Sequence, residues 1–351
     1  MSLPDQQLDD LVGRLLMVGF DGRKLTPDLA DFLETIRPGG IILFKRNVDD
    51  GPARIAELIA ACQDLAVSRF GRRLLIAIDQ EGGPVRRLTP PFTILPSQRE
   101  MSRALDIDQV RALGETSGRE LAAVGFNMNL APVLDLVTDS KATFMLERSF
   151  GADPETASAF GSALIQGHLV HRVLTCAKHF PGIGDSYLDP HFELPTVSYT
   201  DPEMLDRGIF PFLKAIEQGL SAVITSHVFY PQFDPKWPAT ISTPIITGLL
   251  REKCRFSGLI LSDDMEMGAL VKNYSLGEAT LQTVSAGTDL VLICRNPQSV
   301  TAAREALEQA TRSGVLTRTR LEASAFRLAA ALEKTTLPPP EAWKEVLSIA
   351  N

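Results

Sequence analysis

Residues 259–264 read "LILSDD", an apolar run that stops abruptly at two aspartates. The run is apolar almost without interruption, whereas a strand with one face in water alternates apolar and polar residues. The pattern therefore predicts a buried strand of a parallel sheet. Seven further runs share it, and they lie at residues 15–20, 39–44, 74–79, 126–132, 174–180, 222–227 and 289–294.

Segments with helical spacing separate these runs. Two of them, 153–171 and 201–219, open on Asp-Pro, which places a capping acid before a proline in the first turn. Another opens on Ser-Thr-Pro at 242–244, and the segment from 299 to about 334 is helical with a break near 313–317. Eight strands that alternate with helices between residues 15 and 294 are the number found in a (β/α)8 barrel.

We therefore predict an α/β protein with a single (β/α)8 TIM-type barrel at residues 1–336. Residues 337–351 form a proline-stiffened connector and a short helix, which we expect to pack on the outside of the barrel. A doubly wound open sheet is the competing architecture. It would require a G-x-G-x-x-G turn after an early strand, and "DQEGGPV" at 79–85 lacks that spacing.

Composition narrows the class of protein and its partners. The 351 residues carry a net charge of −8 without a basic stripe, which argues against a nucleic-acid or anionic-membrane partner. The amino end has no basic region of a signal peptide, and no apolar run approaches the roughly 20 residues of a membrane span. We therefore expect a cytoplasmic protein.

The cysteines are scattered, without paired spacing, at Cys62, Cys176, Cys254 and Cys294. This distribution predicts buried free thiols in a reducing compartment rather than disulfides or a zinc site. We expect neither a metal nor a cofactor. The sequence does not settle the oligomeric state, and it is compatible with a monomer.

Polar residues follow the predicted strands at their carboxyl ends, where barrels gather functional groups. They include acids, bases and arginines, without metal-ligand spacing, and such a set suits an uncharged substrate with many hydroxyls. A carboxylate nucleophile with a separate proton donor is the minimum for cleaving a glycosidic bond with retention. The strand-end residues are Asp79, Gln80, Glu81, Asp135, Lys178, His179, Ser226, His227, Ser262, Asp263, Asp264, Arg295 and Asn296, with Arg86, Arg87, Glu147 and Arg148 in the loops.

Five motifs together resemble the family 3 glycoside hydrolases. They are "DQEGGPVRRL" (79–88), "LAPVLDL" (130–136), "ERSFGADP" (147–154), "AKHFPG" with the following "DPH" (177–191) and "GLILSDDMEMGAL" (258–270). Within that family they look like the β-N-acetylglucosaminidase branch, whose single-domain members act in bacterial cell-wall recycling. The resemblance implies a retaining exo-β-N-acetylglucosaminidase that releases terminal GlcNAc from a GlcNAc-containing glycoside, such as a peptidoglycan-derived muropeptide.

The resemblance also assigns roles to individual residues. Asp263 matches the nucleophile that forms a covalent glycosyl-enzyme, His191 matches an unusual histidine acid/base, and Asp189 matches its carboxylate partner. The groups that match those holding the sugar hydroxyls are Asp79, Arg87, Arg148, Lys178 and His179.

The assignment of His191 is physically reasonable. An unperturbed imidazole titrates near pH 6.5, close to the working pH, and Asp189 can accept from one ring nitrogen. Residues two apart do not face each other on a helix, so this pairing requires an irregular loop, which Pro190 stiffens. Glu193 is the alternative acid.

For several neighbouring residues we expect supporting rather than catalytic roles. We expect Glu81 and Glu147 to position the arginines, and His227 to be a structural or rim residue rather than a catalyst. Position 183 is Ile where most members of the family carry His, and position 190 is Pro where Ser is usual. We expect both changes to affect how the loop closes.

Other functions remain open at this stage. The protein could be a family 3 β-glycosidase or a glycoside phosphorylase of different sugar specificity, or a barrel that binds sugar without cleaving it. Lys178 at a strand end could instead be the Schiff-base lysine of an aldolase-type lyase.

Overall fold

The computed structural model describes residues 5–137, 143–184, 186, 188–190, 192–197 and 202–348. Eight strands lie within these ranges, and each falls inside one of the predicted apolar runs. They are β1 Leu16–Val18, β2 Gly40–Leu43, β3 Leu75–Ile78, β4 Met128–Asn129, β5 Leu174–Phe180, β6 Ala222–Thr225, β7 Leu259–Asp264 and β8 Leu290–Ile293.

The strands close into a parallel barrel in sequence order. Each pairs with the next along the chain, and β8 returns to β1, where Met17 lies opposite Leu292. Every residue of the described strands is buried except Asp263 and Asp264, which are half-buried at the end of β7. A strand covered on both faces must be apolar throughout, which is why the runs do not alternate. The predicted (β/α)8 barrel is confirmed.

Helices surround the barrel. They are α1 Asp5–Gly13, α2 Pro27–Ile36, α3 Lys45–Val48, α4 Pro52–Phe70, α5 Gln98–Ala104, α6 Ile107–Val124, α7 Thr143–Leu146, α8 Pro154–Val170, α9 Pro202–Glu217, α10 Gly268–Val271, α11 Leu276–Ala286, α12 Pro297–Arg312, α13 Arg318–Glu333 and α14 Ala342–Ser348, with a 3₁₀ turn at Ala239–Ile241 and a π-helix at Pro244–Lys253.

Local sequence explains where several helices begin. The Asp153 side chain accepts the N–H of Thr156 at the start of α8, as its Asp-Pro opening predicted. Asn296 caps α12 in the same way, again before a proline. The helix predicted after Ser242 exists, but it has π geometry, because apolar spacing alone does not distinguish hydrogen bonds to the fourth and to the fifth preceding residue.

The barrel interior is filled by side chains and is not a pore. Met17, Ile42, Leu75, Met128 and Leu174 belong to one buried cluster inside the strands. A second, larger cluster packs the outer faces of the strands against the helices. Because the barrel is closed and packed, the carboxyl ends of its strands form a rigid platform for a site.

The carboxyl-terminal segment lies against this outer layer. Helix α14 contacts α4 and α6, and its Leu347 is buried in the outer cluster. This packing supports the expected tail, while the division of the chain between residues 336 and 337 stays a prediction.

The four cysteines are free and buried, as predicted. Among the described helices, none combines the length and the apolar character that crossing a membrane requires.

Candidate active site

A cavity of about 180 Å³ opens at the carboxyl ends of the strands. It is smaller than the roughly 300–1,000 Å³ of typical ligand pockets, so its size suits one sugar ring. Six of the residues predicted for the site line it, namely Asp79, Arg87, Arg148, Lys178, His179 and Asp263. The sequence therefore identified residues from four different strand ends or loops that the fold brings together.

Glu81 is the centre of a buried ionic cluster on one side of the cavity. Its two oxygens accept from Nε and Nη2 of Arg148, both at 2.8 Å. The ammonium of Lys178 lies 2.7 Å from the same carboxylate and donates to Oδ1 of Asp79 at 2.8 Å. Nη2 of Arg87 donates to Asp79 at 3.2 Å. The cluster fixes three cationic side chains in the cavity wall.

The charges of this cluster determine its ionisation. Burial alone would raise the pKa of Asp79, but the cations of Lys178 and Arg87 hold that pKa well below its usual range. The pKa of Glu81 is lowered to about 2, because Arg148 and Lys178 outweigh burial. Burial would lower the pKa of Lys178, and the two carboxylates raise it instead. Lys178 therefore stays an ammonium.

One donor of the cluster is not used within the described residues. Nε of Arg87 is buried and makes no hydrogen bond to any other described group. A buried donor without a partner is costly, so a ligand atom in the cavity would be a favourable acceptor for it.

His179 is held by a second carboxylate. Asp135, which is fully buried, accepts from the backbone N–H of His179 at 3.1 Å and lies 2.6 Å from its Nδ1. The Nδ1 proton therefore points to Asp135, and Nε2 lies 3.5 Å from Nη2 of Arg148. The other oxygen of Asp135 accepts from the N–H of Ile183 at 2.7 Å.

Adjacent residues of a regular strand point to opposite faces, yet Lys178 and His179 both line the cavity. The pairing of β5 with β6 shifts register between Ala177 and Phe180, so the strand is irregular where these two residues lie.

Asp263 and its neighbour Asp264 both line the cavity but ionise differently. Burial would raise the pKa of Asp263, but His227, His179, the N–H of Asp264 and Lys178 lower it. Burial raises the pKa of Asp264 to about 6. Asp264 uses Oδ1 to accept from the N–H groups of Glu266 and Cys294. Such a split between two adjacent carboxyls is typical of sites where each has a separate role.

His227 lies deeper than a rim residue. It is fully buried at the end of β6, and its Nε2 donates to the carbonyl of Asp264 at 2.8 Å. The structural role that we expected is supported, but His227 lies close to Asp263 rather than at the rim.

The loop after β5 is fixed at several points. The hydroxyl of Tyr230 donates to the carbonyl of Gly182 at 2.6 Å, and the N–H of Val197 donates to Phe229 at 2.9 Å. Between these anchors, the carbonyl of Pro190 accepts from the N–H of Ala269 in α10 at 3.1 Å. His191 lies outside the described residues, and its pairing with Asp189 stays a prediction.

Comparison with known proteins now decides the family. A family model described as the glycosyl hydrolase family 3 N terminal domain matches residues 7–331. The chain belongs to glycosyl hydrolase family 3.

Relatives of this family 3 chain are found among curated proteins and solved structures. A beta-hexosaminidase of Hydrogenovibrio crunogenus is 35% identical over 314 residues, which are 87% of this chain and 85% of the relative. A family 3 beta-N-acetylglucosaminidase structure from a Paenibacillus species has a TM-score of 0.91 at 36% identity, over 99% of this chain and 68% of that one. A beta-N-acetylhexosaminidase structure from Beutenbergia cavernae has a TM-score of 0.84 at 32% identity. The match covers 94% of this chain and 98% of that one.

The two departures from the family 3 pattern have local explanations. Ile183 is buried in an apolar cluster with Phe180, Phe212 and Tyr230, so its side chain packs the base of the loop. Pro190 follows Asp189, whose carbonyl accepts from the N–H groups three and four residues on. Proline suits the first position of such a turn, because its φ is already set.

Some groups of this family 3 site were not assigned by sequence reasoning. Phe44 lines the cavity under the guanidinium of Arg87, whose central carbon is 5.5 Å from the ring centroid. Phe44 ends the second apolar run. An aromatic residue at a strand end was the feature of the sequence that could have predicted its place in the cavity. Asp135 was noted only as a strand-end residue, so its contact with His179 was not predicted. The expectation for Glu147 was wrong, because this exposed residue accepts from the hydroxyl of Ser97 and does not hold Arg148.

Proposed function

We propose that the chain is a retaining exo-β-N-acetylglucosaminidase. The observation that carries the proposal is the carboxylate of Asp263, whose pKa is lowered despite burial, in a one-ring cavity that the ionic cluster around Glu81 also lines. The names of the relatives support a hexosaminidase that releases terminal GlcNAc. A cavity of this size supports removal of a single terminal sugar.

The cluster would bind the hydroxyls of that sugar. Arg87 and Arg148 offer forked donors, Lys178 offers an ammonium, Asp79 offers carboxylate acceptors, and His179 presents Nε2 as a further polar atom. Because each group is already held by a buried partner, little side-chain freedom is lost when the sugar binds.

Two displacements at the anomeric carbon complete the proposed reaction. Asp263 attacks this carbon while the bond to the leaving oxygen breaks, and that oxygen takes a proton from His191. Water then gives a proton to His191 and attacks the same carbon, which releases GlcNAc and restores the carboxylate. His227 and His179 keep Asp263 ionised for the first step.

The rival lyase is not favoured by the state of Lys178. A Schiff-base lysine must lose its proton to attack a carbonyl, and burial without anions serves that purpose. Here Asp79 and Glu81 lie within 2.8 Å of the ammonium and raise its pKa.

The test is a panel of aryl β-glycosides of GlcNAc, Glc, GalNAc and Xyl, with and without phosphate. We expect the GlcNAc substrate to be preferred and free GlcNAc to form whether or not phosphate is present. Asp263→Ala should lose activity by more than about 1,000-fold, while Asp206→Ala, which removes an exposed carboxylate on α9, is the control. Near-native turnover by Asp263→Ala would refute the mechanism.

A second measurement separates the remaining alternatives. A 5-fluoro GlcNAc fluoride should label the peptide that carries Asp263, and mass spectrometry would identify it. GlcNAc 1-phosphate as product would make the protein a phosphorylase. Binding of GlcNAc without turnover of any aryl glycoside would make it a sugar-binding barrel.

The natural setting is also part of the proposal. Four free, buried cysteines support work in the reducing cytoplasm, where muropeptides released from peptidoglycan would be the GlcNAc-containing substrate.

A further inference from the structure

Phe44, which directly follows β2, contacts two guanidinium groups. The central carbon of the Arg46 guanidinium lies 4.7 Å from the centroid of its ring, and that of Arg87 lies 5.5 Å from the same centroid. Both distances fall within the roughly 6 Å over which an aromatic face attracts a cation. Phe44 and Arg87 also line the cavity. The ring therefore connects a cation of the cavity wall to the Arg46 side chain.

The turn that carries Phe44 and Arg46 is firmly fixed. The N–H of Phe44 donates to Oδ1 of Asn47 at 2.9 Å, and the N–H of Asn47 donates back to the carbonyl of Phe44 at 2.8 Å. Nδ2 of the buried Asn47 donates to the carbonyl of Phe20 at 3.0 Å. Arg46 donates to the carbonyls of Phe20 and Cys294. These bonds join the ends of the neighbouring strands β8, β1 and β2, so the Phe44 ring has a rigid support.

Arg87 is the less restrained of the two arginines in the site. Arg148 donates twice to Glu81, both times at 2.8 Å. Within the described part of the chain, the guanidinium of Arg87 makes one hydrogen bond, from Nη2 to Asp79 at 3.2 Å, and its buried Nε makes none. The Arg87 side chain is 27% exposed, against 13% for Arg148. The ring of Phe44 is therefore a second restraint on a guanidinium that Asp79 holds at one point.

We propose that Phe44 is a positioning residue for Arg87, and that its ring holds the Arg87 guanidinium in the orientation that donates to a hydroxyl of the bound sugar. This inference rests on the proposed function, in which Arg87 binds a sugar hydroxyl. A planar guanidinium stacks well on an aromatic face, and a side chain that is ordered beforehand loses less freedom when a ligand binds. Without the ring, the guanidinium would keep its hydrogen bond to Asp79, and sugar binding would have to order it.

A double-mutant cycle tests whether the ring acts through Arg87. With an aryl β-GlcNAc substrate, Phe44→Leu should lower kcat/KM by about tenfold, which is within the range of one arginine–aromatic contact. Most of this loss should be a higher KM, with kcat changed by less than about twofold, because the hydroxyl contact is present in the ground state and the transition state alike. In protein that already carries Arg87→Ala, Phe44→Leu should lower kcat/KM by less than about twofold.

Further variants separate positioning from a general loss of packing. Phe44→Tyr keeps the ring, so its kcat/KM should stay within about twofold of wild type. Phe70→Leu is the matched control, because the Phe70 ring at the end of α4 also contacts two guanidinium groups, those of Arg37 at 5.0 Å and Arg72 at 5.4 Å. Phe70→Leu should lower the urea midpoint without changing kcat/KM. If Phe44→Leu does not fold, Phe44→Met takes its place, because a methionine side chain adapts to irregular gaps.

Each outcome has a defined meaning. Equal losses from Phe44→Leu with and without Arg87 would show that the ring acts on the sugar or on the fold independently of Arg87, and the proposal would be wrong. A loss in kcat with KM unchanged, or the same loss in Phe44→Tyr as in Phe44→Leu, would also overturn it. If wild type cleaves no aryl β-GlcNAc, the proposed function itself has failed. Calorimetric binding of GlcNAc to the same variants then tests the positioning of Arg87 separately, and equal affinities for wild type and Phe44→Leu would refute it.

Discussion

Replacement of Glu81 by Gln tests the ionic cluster most directly. Glu81 is 2% exposed and makes three short contacts, one to Lys178 and two to Arg148. Gln keeps the shape but loses the charge, and its amide N–H₂ would face a cationic donor. Lys178 would then keep only the carboxylate of Asp79, and Arg148 would keep no carboxylate contact among the described residues.

The pKa of Glu81 gives the magnitude. Its value in the folded protein is about 2, against an ordinary value of 4.5, and this difference corresponds to about 3 kcal/mol. Because the folded-state pKa is lowered, this stability is present above pH 4.5 and is lost as the pH falls toward 2. About half of it remains at pH 3. Loss of one partner from a buried ion pair typically costs about 3–5 kcal/mol, which agrees.

Urea unfolding followed by circular dichroism, at pH 7 and at pH 3, measures the effect. We expect Glu81→Gln to lower the free energy of unfolding by about 3 kcal/mol at pH 7 and by about half as much at pH 3. In an aryl β-GlcNAc assay, kcat/KM should fall by about 100-fold, because Arg148 and Lys178 lose their fixed positions.

The control is Glu147→Gln, which changes an exposed carboxylate next to Arg148. It should alter stability by less than about 0.5 kcal/mol. If Glu81→Gln costs less than about 1 kcal/mol, or costs the same at both pH values, then the cluster does not hold the site in the way that its geometry indicates.

Three further substitutions test other parts of the site. As the pH rises from 4 to 7, Asp264→Asn should gain stability relative to wild type by up to about 3 kcal/mol. The reason is that the buried carboxyl of Asp264, with a pKa of about 6, ionises at a cost in wild type. Urea midpoints that differ equally at both pH values would contradict this. Ile183→His should lower stability by about 2 kcal/mol, because a polar ring would enter an apolar cluster. An unchanged unfolding midpoint would show that the base of the loop accommodates the imidazole ring. Asp135→Asn should lower stability by about 2 kcal/mol and shift the imidazole ¹⁵N resonances of His179. Spectra like those of wild type would show that the contact between Asp135 and Nδ1 does not fix the tautomer of His179.

The fold could be predicted because its strands are covered on both faces. Continuous apolar runs such as 75–78 have no other common explanation when they alternate with capped helices. The π-helix at Pro244–Lys253 could not be predicted, because it differs from an α-helix only in which carbonyl each N–H reaches.

The sequence could predict which residues line the site, but it could not predict the contacts between them. Position at a strand end placed Asp79, Lys178 and Asp263 together, since all barrel strands end on one face. The central role of Glu81 depends on side-chain reach from β3 to β5 across the short strand β4, which sequence spacing does not encode. The same applies to Asp135, which joins His179 to the base of the loop.

The charges of the site complement one another in a way that favours the proposed chemistry. Arg87, Arg148 and Lys178 are opposed by Asp79 and Glu81, so the wall that would bind the sugar hydroxyls carries little excess charge. Asp263 is not part of those ion pairs, and its anion is sustained first by His227 and His179, then by the N–H of Asp264, and least by Lys178. Positive charge that develops at an anomeric carbon would therefore be stabilised chiefly by Asp263, which is the differential interaction that accelerates a glycosidic cleavage.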